Sequence, residues 1–366
     1  MKKALKIIGI TLLVLILVAV LAVGAYVIYV VAEYDRIPDN QSLEITGGAT
    51  ARLEKGTEYT VITYNIGFGA YTPDFSFFMD SGVMADGTEV YGEYGKAIDK
   101  RHVINAVSGA AAVLAAQNAD FILAQEVDID GDRSYNVNQL DMLTEAIGEN
   151  YDRAFAINFH SAYLMYPLND FHGKNTAGIA TFSRYGITES VRRSYPVDDG
   201  FAKFFDLDRC FMVNRVPVAD GKELVLINSH MSAYDEGGTI REQQLQMLNA
   251  VIAAEYAAGN YVIVGGDFNH DLADSLGAFP SEQQTPGWAY PLTDDMVADG
   301  FRVVATKQGV GTCRDAEIPY EKGVNYITVL DGFIVSDNVK TVSIENIDTD
   351  FQYSDHNPVQ FVFTLE

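Results

Sequence analysis

The chain is expected to fold as an α/β or α+β layered sandwich behind one N-terminal transmembrane helix. Three observations lead there. An uncharged apolar run fills residues 7–32. From Tyr59 onward, short β-branched runs alternate with a few long amphipathic stretches. Polar residues able to do chemistry recur where those runs end. Many strands with few long helices pack as sheets covered by outer helices.

Lys2, Lys3 and Lys6 precede the run from Ile7 to Ala32. About twenty apolar residues suffice to cross a bilayer, and this run has no polar face for packing as a core helix. The lysines keep residues 1–6 in the cytoplasm, so the remainder lies outside a cell membrane crossed once. A cleaved signal peptide is the competing reading. Its apolar region would be only about 7–15 residues, although Ala22, Gly24 and Ala25 are small enough for cleavage. Both readings export the rest of the chain. Residues 33–56 read as a polar linker broken by Pro38, Asn40, Gly47 and Gly48. Residues 57–366 read as one domain.

Within it, Tyr59–Tyr64 alternates as a strand. A helix is expected over Lys96–Gln117, with Ile98, Val103, Val107, Ala111 and Leu114 on one side. Phe121–Ala124, Thr176–Arg184, Ile187–Arg193, Cys210–Val218 and Leu224–Ser229 follow as strands. A second helix is expected over Ile240–Ala257, where Thr239 and Glu242 have capping-box spacing. Tyr261–Val264, Thr328–Val335 and Val359–Phe363 complete the strands.

Acidic residues outnumber basic ones 50 to 25, a formal charge of -25. Such a field repels polyanions and disfavours a nucleic-acid partner, without excluding a phosphodiester bound at a metal-neutralised pocket. Cys210 and Cys313 are too few for a disulfide scaffold or a four-cysteine zinc site. A single disulfide or two free thiols both remain open.

Asn65 follows VITY, Gln125 and Glu126 follow FILA, and Asn228 and His230 follow LVLI. Asp267 and Asn269 follow VIVGG, Asp331 sits in TVLDGFIV, and Asp355 and His356 precede the last strand in YSDHNPV. Carboxylates and amide oxygens suit Mg²⁺ or Mn²⁺. Histidines beside carboxylates suit acid–base work near neutrality.

The ordered set NIG, QEVD, NSH, GGDFNHD, LDGFIV and SDHNPV resembles the endonuclease/exonuclease/phosphatase superfamily, close in fold to deoxyribonuclease I and to magnesium-dependent neutral sphingomyelinases. The resemblance covers Tyr59 to Glu366 and implies a four-layer α-β-β-α sandwich with its site at one end of the sheets. It implies that Glu126 holds a metal with Asn65 and Asp355, and that Asp267 orients or deprotonates water or holds a second metal. Asn269 would donate to a phosphate oxygen, and Asp331 would fix the tautomer of His356. His356 would be a general base or contact the phosphoryl group. His230 would be a general acid or a phosphate donor.

Each residue also has a plain reading. GGDFN is an ordinary turn sequence, and a single His or Glu is usually structural; the joint arrangement outweighs this. His102, His160 and His172 lack such support, and His270 lines the site only by proximity to Asn269. DIDGDRS is not a calcium loop, because Gly131 and Gln139 stand in the wrong places; it reads as a solvated loop whose Arg133 reaches the substrate. Gly265 and Gly266 are not a P-loop and read as room for backbone near the metal. Phe75, Phe77, Phe78 and Met79 form either a satellite core or a surface that meets lipid.

The expected function is a membrane-anchored, extracytoplasmic, Mg²⁺-dependent phosphoesterase acting on a phosphodiester, with a phospholipid headgroup the favoured substrate. A deoxyribonuclease I-like nuclease, an inositol-phosphate phosphatase and a non-catalytic binding module are the alternatives.

Overall fold

The computed structural model describes residues 2–197, 200, 208–233 and 238–366. Lys2–Glu33 is one helix, long and apolar enough to cross a membrane. Two seven-stranded sheets form the body. Sheet I runs, in spatial order, Val339–Asn346, Val359–Leu365, Glu58–Asn65, Phe121–Gly131, Asn175–Ser183, Asp152–His160 and Ile45–Thr46. Sheet II runs Gln41–Ser42, Glu189–Ser194, Cys210–Pro217, Glu223–His230, Tyr261–Asp267, Asp331–Ser336 and Phe301–Val304.

Each sheet has one parallel pair near its middle. Glu58–Asn65 pairs with Phe121–Gly131, and Glu223–His230 pairs with Tyr261–Asp267. Parallel neighbours need a crossover rather than a hairpin. Helices Lys100–Gln117 and Thr239–Ala257 supply the two crossovers. The first packs Ala110, Ala111 and Leu114 onto sheet I, and the second packs Leu245, Leu248 and Ile252 onto sheet II. Val61, Leu123, Leu226, Ile263, Phe333 and Phe361 fill the space between the sheets. The layers are therefore helix, sheet, sheet, helix, as expected.

Local chemistry moves several expected boundaries. The first crossover helix begins at Lys100, not Lys96, because the Asp99 side chain caps it by accepting from the His102 N–H at 2.9 Å. The second starts without the expected capping box. Gly238 is its N-cap and makes no side-chain bond, and Thr239 lies inside the helix. The expected linker is partly stitched to the domain. Gln41–Ser42 pairs with Glu189–Ser194, Ile45–Thr46 pairs with Asp152–His160, and Leu53 is fully buried.

Two features fix how the sheets meet. Asn228 reaches from sheet II into sheet I, donating to the carbonyls of Ala180 at 2.9 Å and Ala124 at 3.3 Å. Its carbonyl accepts from Gln125 Nε2 at 2.8 Å, and Gln125 is tied to Thr63. Nearby, Asn214 donates to Thr181 at 3.3 Å. Gly265 and Gly266 provide the close approach. A Cβ on Gly265 would lie 2.6 Å from Phe333 and 2.7 Å from Leu123 of the facing sheet. A Cβ on Gly266, at φ +150, would lie 1.9 Å from the Ser229 carbonyl oxygen. These glycines serve strand and sheet packing, not the backbone approach to a metal that the sequence suggested.

Replacing Asn228 with Ala strands buried partners on sheet I, each worth about 1–3 kcal/mol when left unsatisfied. Chemical denaturation should show Asn228→Ala destabilised by at least about 1 kcal/mol; an unchanged midpoint would show that the bridge does not hold the sheets.

Candidate active site

Three of the four parallel strands end at one level, and the fourth, Phe121–Gly131, breaks its register there before running on to Gly131. Asn65 stands opposite Gln125 in sheet I, and His230 opposite Asp267 in sheet II. Ligands bind outside the carboxyl ends of such strands. The antiparallel neighbours start at the same end: Asp331 is paired with Asp267, and Val359, just after His356, with Thr63.

Glu126 is placed by a break in its strand. The register with Asn175–Ser183 shifts between Ala124 and Val127, and Glu126 takes φ 55. That left-handed conformation is uncommon for a non-glycine residue, and bulges beside active sites re-aim side chains. Here consecutive side chains both face sheet II: Gln125 bonds Asn228, and Glu126 Oε1 lies 3.8 Å from His230 Nε2.

The Asn65 amide links the sheets at the site. Its Nδ2 donates to Asp267 Oδ2 at 3.0 Å and to Glu126 Oε1 at 3.3 Å, while its Oδ1 accepts from the Gly67 N–H. Asp267 Oδ1 accepts from the Asn269 N–H at 2.8 Å. One N–H of the Asn269 amide goes to the Met231 carbonyl at 2.9 Å. His356 Nδ1 donates to Asp331 Oδ2 at 2.7 Å, and its Nε2 lies 3.7 Å from Asp267 Oδ2. Asp355 adds a further carboxylate, bonded by Ser354 Oγ.

The two histidines are charged differently. Burial opposes a charge on His356, but Asp331, then Cys313, Asp267 and Asp355 outweigh it and hold its pKa well above the ordinary range. His230 is pushed well below its ordinary range by burial and by the Arg209 guanidinium. Arg209 Nη1 lies 2.6 Å from His230 Nε2. Arginine only donates, so Nε2 accepts and the proton of this neutral imidazole sits on Nδ1. In the sequence Arg209 is only one of the scattered basic residues Lys174, Arg184, Arg209 and Arg215, with nothing to show that it joins the site. It lies in no motif, and it reaches His230 because its neighbour Cys210 is paired with His230 across the sheet.

Arg133 does not sit in a solvated loop as expected. Its guanidinium is buried, bonded to Asp128 by Nη2 at 2.7 Å, and stacked over Phe68 at 3.9 Å. Asp128 is itself fully buried and also accepts from Ser134, so the start of DIDGDRS is a packed clamp rather than a solvated loop. Gln139 finishes it, accepting from the Asp128 N–H and donating to the Phe68 carbonyl. Phe75 and Phe77 are buried with Phe68, Tyr71 and Val103 as a satellite core, which leaves Met79 exposed. His102 is partly exposed in the first turn of its helix. His172 is buried against the Gly95 carbonyl, and His270 is buried against the Phe268 carbonyl beside Asn269. Both cysteines are free and buried.

The donor set fits a hard divalent cation. Burial and the neighbouring Asp355 carboxylate push Glu126 up to about 6, against the pull of Arg133 and Arg209. Burial raises Asp355 as well. Crowded oxygen donors whose charge is disfavoured are what such a cation relieves. Asp267, Asp331 and His356 also bring ligand atoms within 4.8 Å of one another. There His356 Nδ1 is bonded to Asp331 while its Nε2 faces Asp267 at 3.7 Å, so this cluster stands as a second candidate beside Glu126 and Asp355.

A family model described as Endonuclease/Exonuclease/phosphatase family matches residues 62–356. This chain belongs to the endonuclease/exonuclease/phosphatase family. It is 23% identical over 257 residues to a Schizosaccharomyces pombe protein named inositol phosphosphingolipids phospholipase C, matching 62% of this chain and 60% of that relative's length. Solved structures share the fold. An endonuclease/exonuclease/phosphatase from Beutenbergia cavernae aligns at TM-score 0.56 with 17% identity, covering 84% of this chain and 72% of its own. The 2',3'-cyclic phosphatase ANGEL2, in complex with adenosine-2',3'-vanadate, aligns at 0.53 with 15% identity, covering 84% and 96%. Truncated TDP2 from Caenorhabditis elegans aligns at 0.51 with 16% identity, covering 85% and 98%. The family's enzymes are hydrolases of phosphate esters, in general dependent on a divalent metal.

Glu126 is ionised above about 6 and becomes protonated as pH falls through that value. A cation on Glu126 competes with that proton, so Mn²⁺ affinity measured by calorimetry should fall about tenfold per pH unit below it. An affinity equal at about pH 7 and about pH 5 would remove Glu126 from the metal site.

Proposed function

We propose that this enzyme is a membrane-anchored, Mg²⁺-dependent phosphodiesterase, with its catalytic domain on the extracytoplasmic side and a phospholipid headgroup ester as substrate. The convergence of a charged His356–Asp331 pair and Asp267 with Asn65 and Glu126 of the facing sheet carries the phosphoester part. The apolar Lys2–Glu33 helix, the -25 charge and the likeness to a protein named for phosphosphingolipids support the lipid part.

Asn65, Glu126 and Asp355 would hold Mg²⁺, for which Mn²⁺ would substitute. Bound there, the ion offsets negative charge on the phosphoryl group. Asp267 orients the attacking water and takes its proton on Oδ2, which the Asn65 amide steadies. His356 points its Nε2–H at the phosphoryl group and gives that proton to the leaving oxygen, while Asp331 holds Nδ1–H. A donor fixed before reaction stabilises developing charge without reorganisation. Arg209, seated on His230, adds fixed positive charge. This makes His230 the residue that positions Arg209, rather than the proton donor. The second amide N–H of Asn269 serves another phosphate oxygen.

The full chain with Mg²⁺ should be assayed on phospholipid and sphingolipid vesicles, plasmid DNA and inositol phosphates. Lipid should be cleaved and DNA spared, EDTA should stop the reaction, and His356→Ala should lower kcat/KM by about 10²–10⁴. His356-dependent nicking of DNA would make this an anchored nuclease. No cleavage with any divalent ion would favour a binding module.

A further inference from the structure

Among the described residues of the domain, the loop that joins Asp152–His160 to Asn175–Ser183 is the most apolar exposed segment. Leu168 is 79% exposed, and Tyr163, Met165, Tyr166 and Phe171 are exposed beside it. Surfaces of this kind mark interaction sites. Its place in the fold is set by register. His160 pairs with Thr176, and Asn175 pairs with Gly131, beyond Glu126 on the same strand. The loop therefore hangs from the active-site end of sheet I. Its His172 packs against Phe68, three residues after Asn65.

The anchor helix comes to the same loop. Tyr26 Oη donates to the Tyr163 carbonyl at 3.1 Å and accepts from the Met165 N–H at 3.0 Å. Tyr29 Oη accepts from the Tyr163 N–H at 3.1 Å. The segment Ile7–Tyr26 spans about 30 Å as a helix, the thickness of a hydrocarbon core. Tyr26 and Tyr29 then sit where interfacial aromatics belong, and the loop is bonded at their depth.

We propose that residues 161–174 seat on the bilayer crossed by the anchor helix and turn the active-site end of the sandwich toward the lipid surface. This rests on reading Ile7–Ala32 as a membrane span. The seat is apolar rather than electrostatic. Lys96 and Lys100 share the cavity of about 500 Å³ under the loop with Asp132 and Asp170, so local charges balance. Binding through the loop should therefore survive high salt and need no anionic lipid.

The test uses the full chain in neutral phosphatidylcholine vesicles, labelled with a polarity-sensitive fluorophore at Leu168→Cys. The native cysteines are buried and remain unlabelled. Val342→Cys, exposed on the opposite edge of sheet I, is the control. Spin-labelled lipid should quench position 168 and spare 342, with no loss at high salt. If the chain floats with the vesicles but position 168 is quenched only by aqueous iodide, the seat is overturned and the anchor stands. If position 168 is shielded from both quenchers, protein covers the loop and the proposal is again overturned. A chain that does not float overturns the anchor reading and the seat together. As an activity readout, Tyr166→Asp with Leu168→Asp should lower hydrolysis of vesicle lipid by at least about tenfold. It should leave a soluble nitrophenyl phosphodiester unaffected; equal loss on both substrates contradicts a seating role.

Discussion

A buried amide bridge between the sheets fixes where the site can form. Asn228 belongs to sheet II, but its polar atoms are satisfied by Ala124, Ala180 and Gln125 of sheet I. Apolar packing between sheets is non-directional and would tolerate sliding. The amide bridge does not, because a shift strands buried donors and acceptors. Two residues further along the Glu223–His230 strand stands His230, and one residue beyond Gln125 stands Glu126. The bridge thus sets the distance between the two halves of the site, and Asn65 repeats the connection at its mouth by bonding Glu126 and Asp267 together.

The site concentrates negative charge that folding alone would not favour. Glu126, Asp267, Asp331 and Asp355 converge on a poorly solvated end of the sandwich, with His356, Arg133, Arg209 and Arg314 among the nearby positive groups. The bulge at Glu126, with its left-handed backbone, adds conformational strain at the same point. Such features persist where the surroundings over-determine them, which the Arg133–Asp128 clamp and the Gln139 bonds do on one side. A divalent cation would relieve the charge, so metal binding and stability of this end of the fold are coupled.

Much of this was readable in the sequence, because strand ends are marked by a change from apolar to polar residues. FILA before Glu126 and VIVGG before Asp267 are fully buried runs, and both helices carry an apolar face. Two strands with outward polar residues were not recognised. Val339–Asn346 exposes Lys340 and Glu345 at a sheet edge, and Asp152–His160 alternates buried with half-buried positions. Arg209 and the Arg133–Asp128 clamp were hidden for another reason. Their meaning depends on pairing across a sheet or on burial, which no spacing along the chain reveals. The docking of residues 41–53 was masked by glycine and asparagine, although Leu43, Ile45 and Leu53 supply its apolar contacts.

If the ends of two sheets, registered by buried amides, build one cation-binding phosphoester site, the metal has one place to sit. A crystal of the enzyme grown with Mn²⁺ tests it most directly, through the anomalous scattering of the metal. A peak is expected against the Glu126 carboxylate on the side shared with Asn65 and Asp355, with the His356–Asp331 hydrogen bond intact. A peak between Asp267, Asp331 and His356 with Glu126 left bare would contradict it.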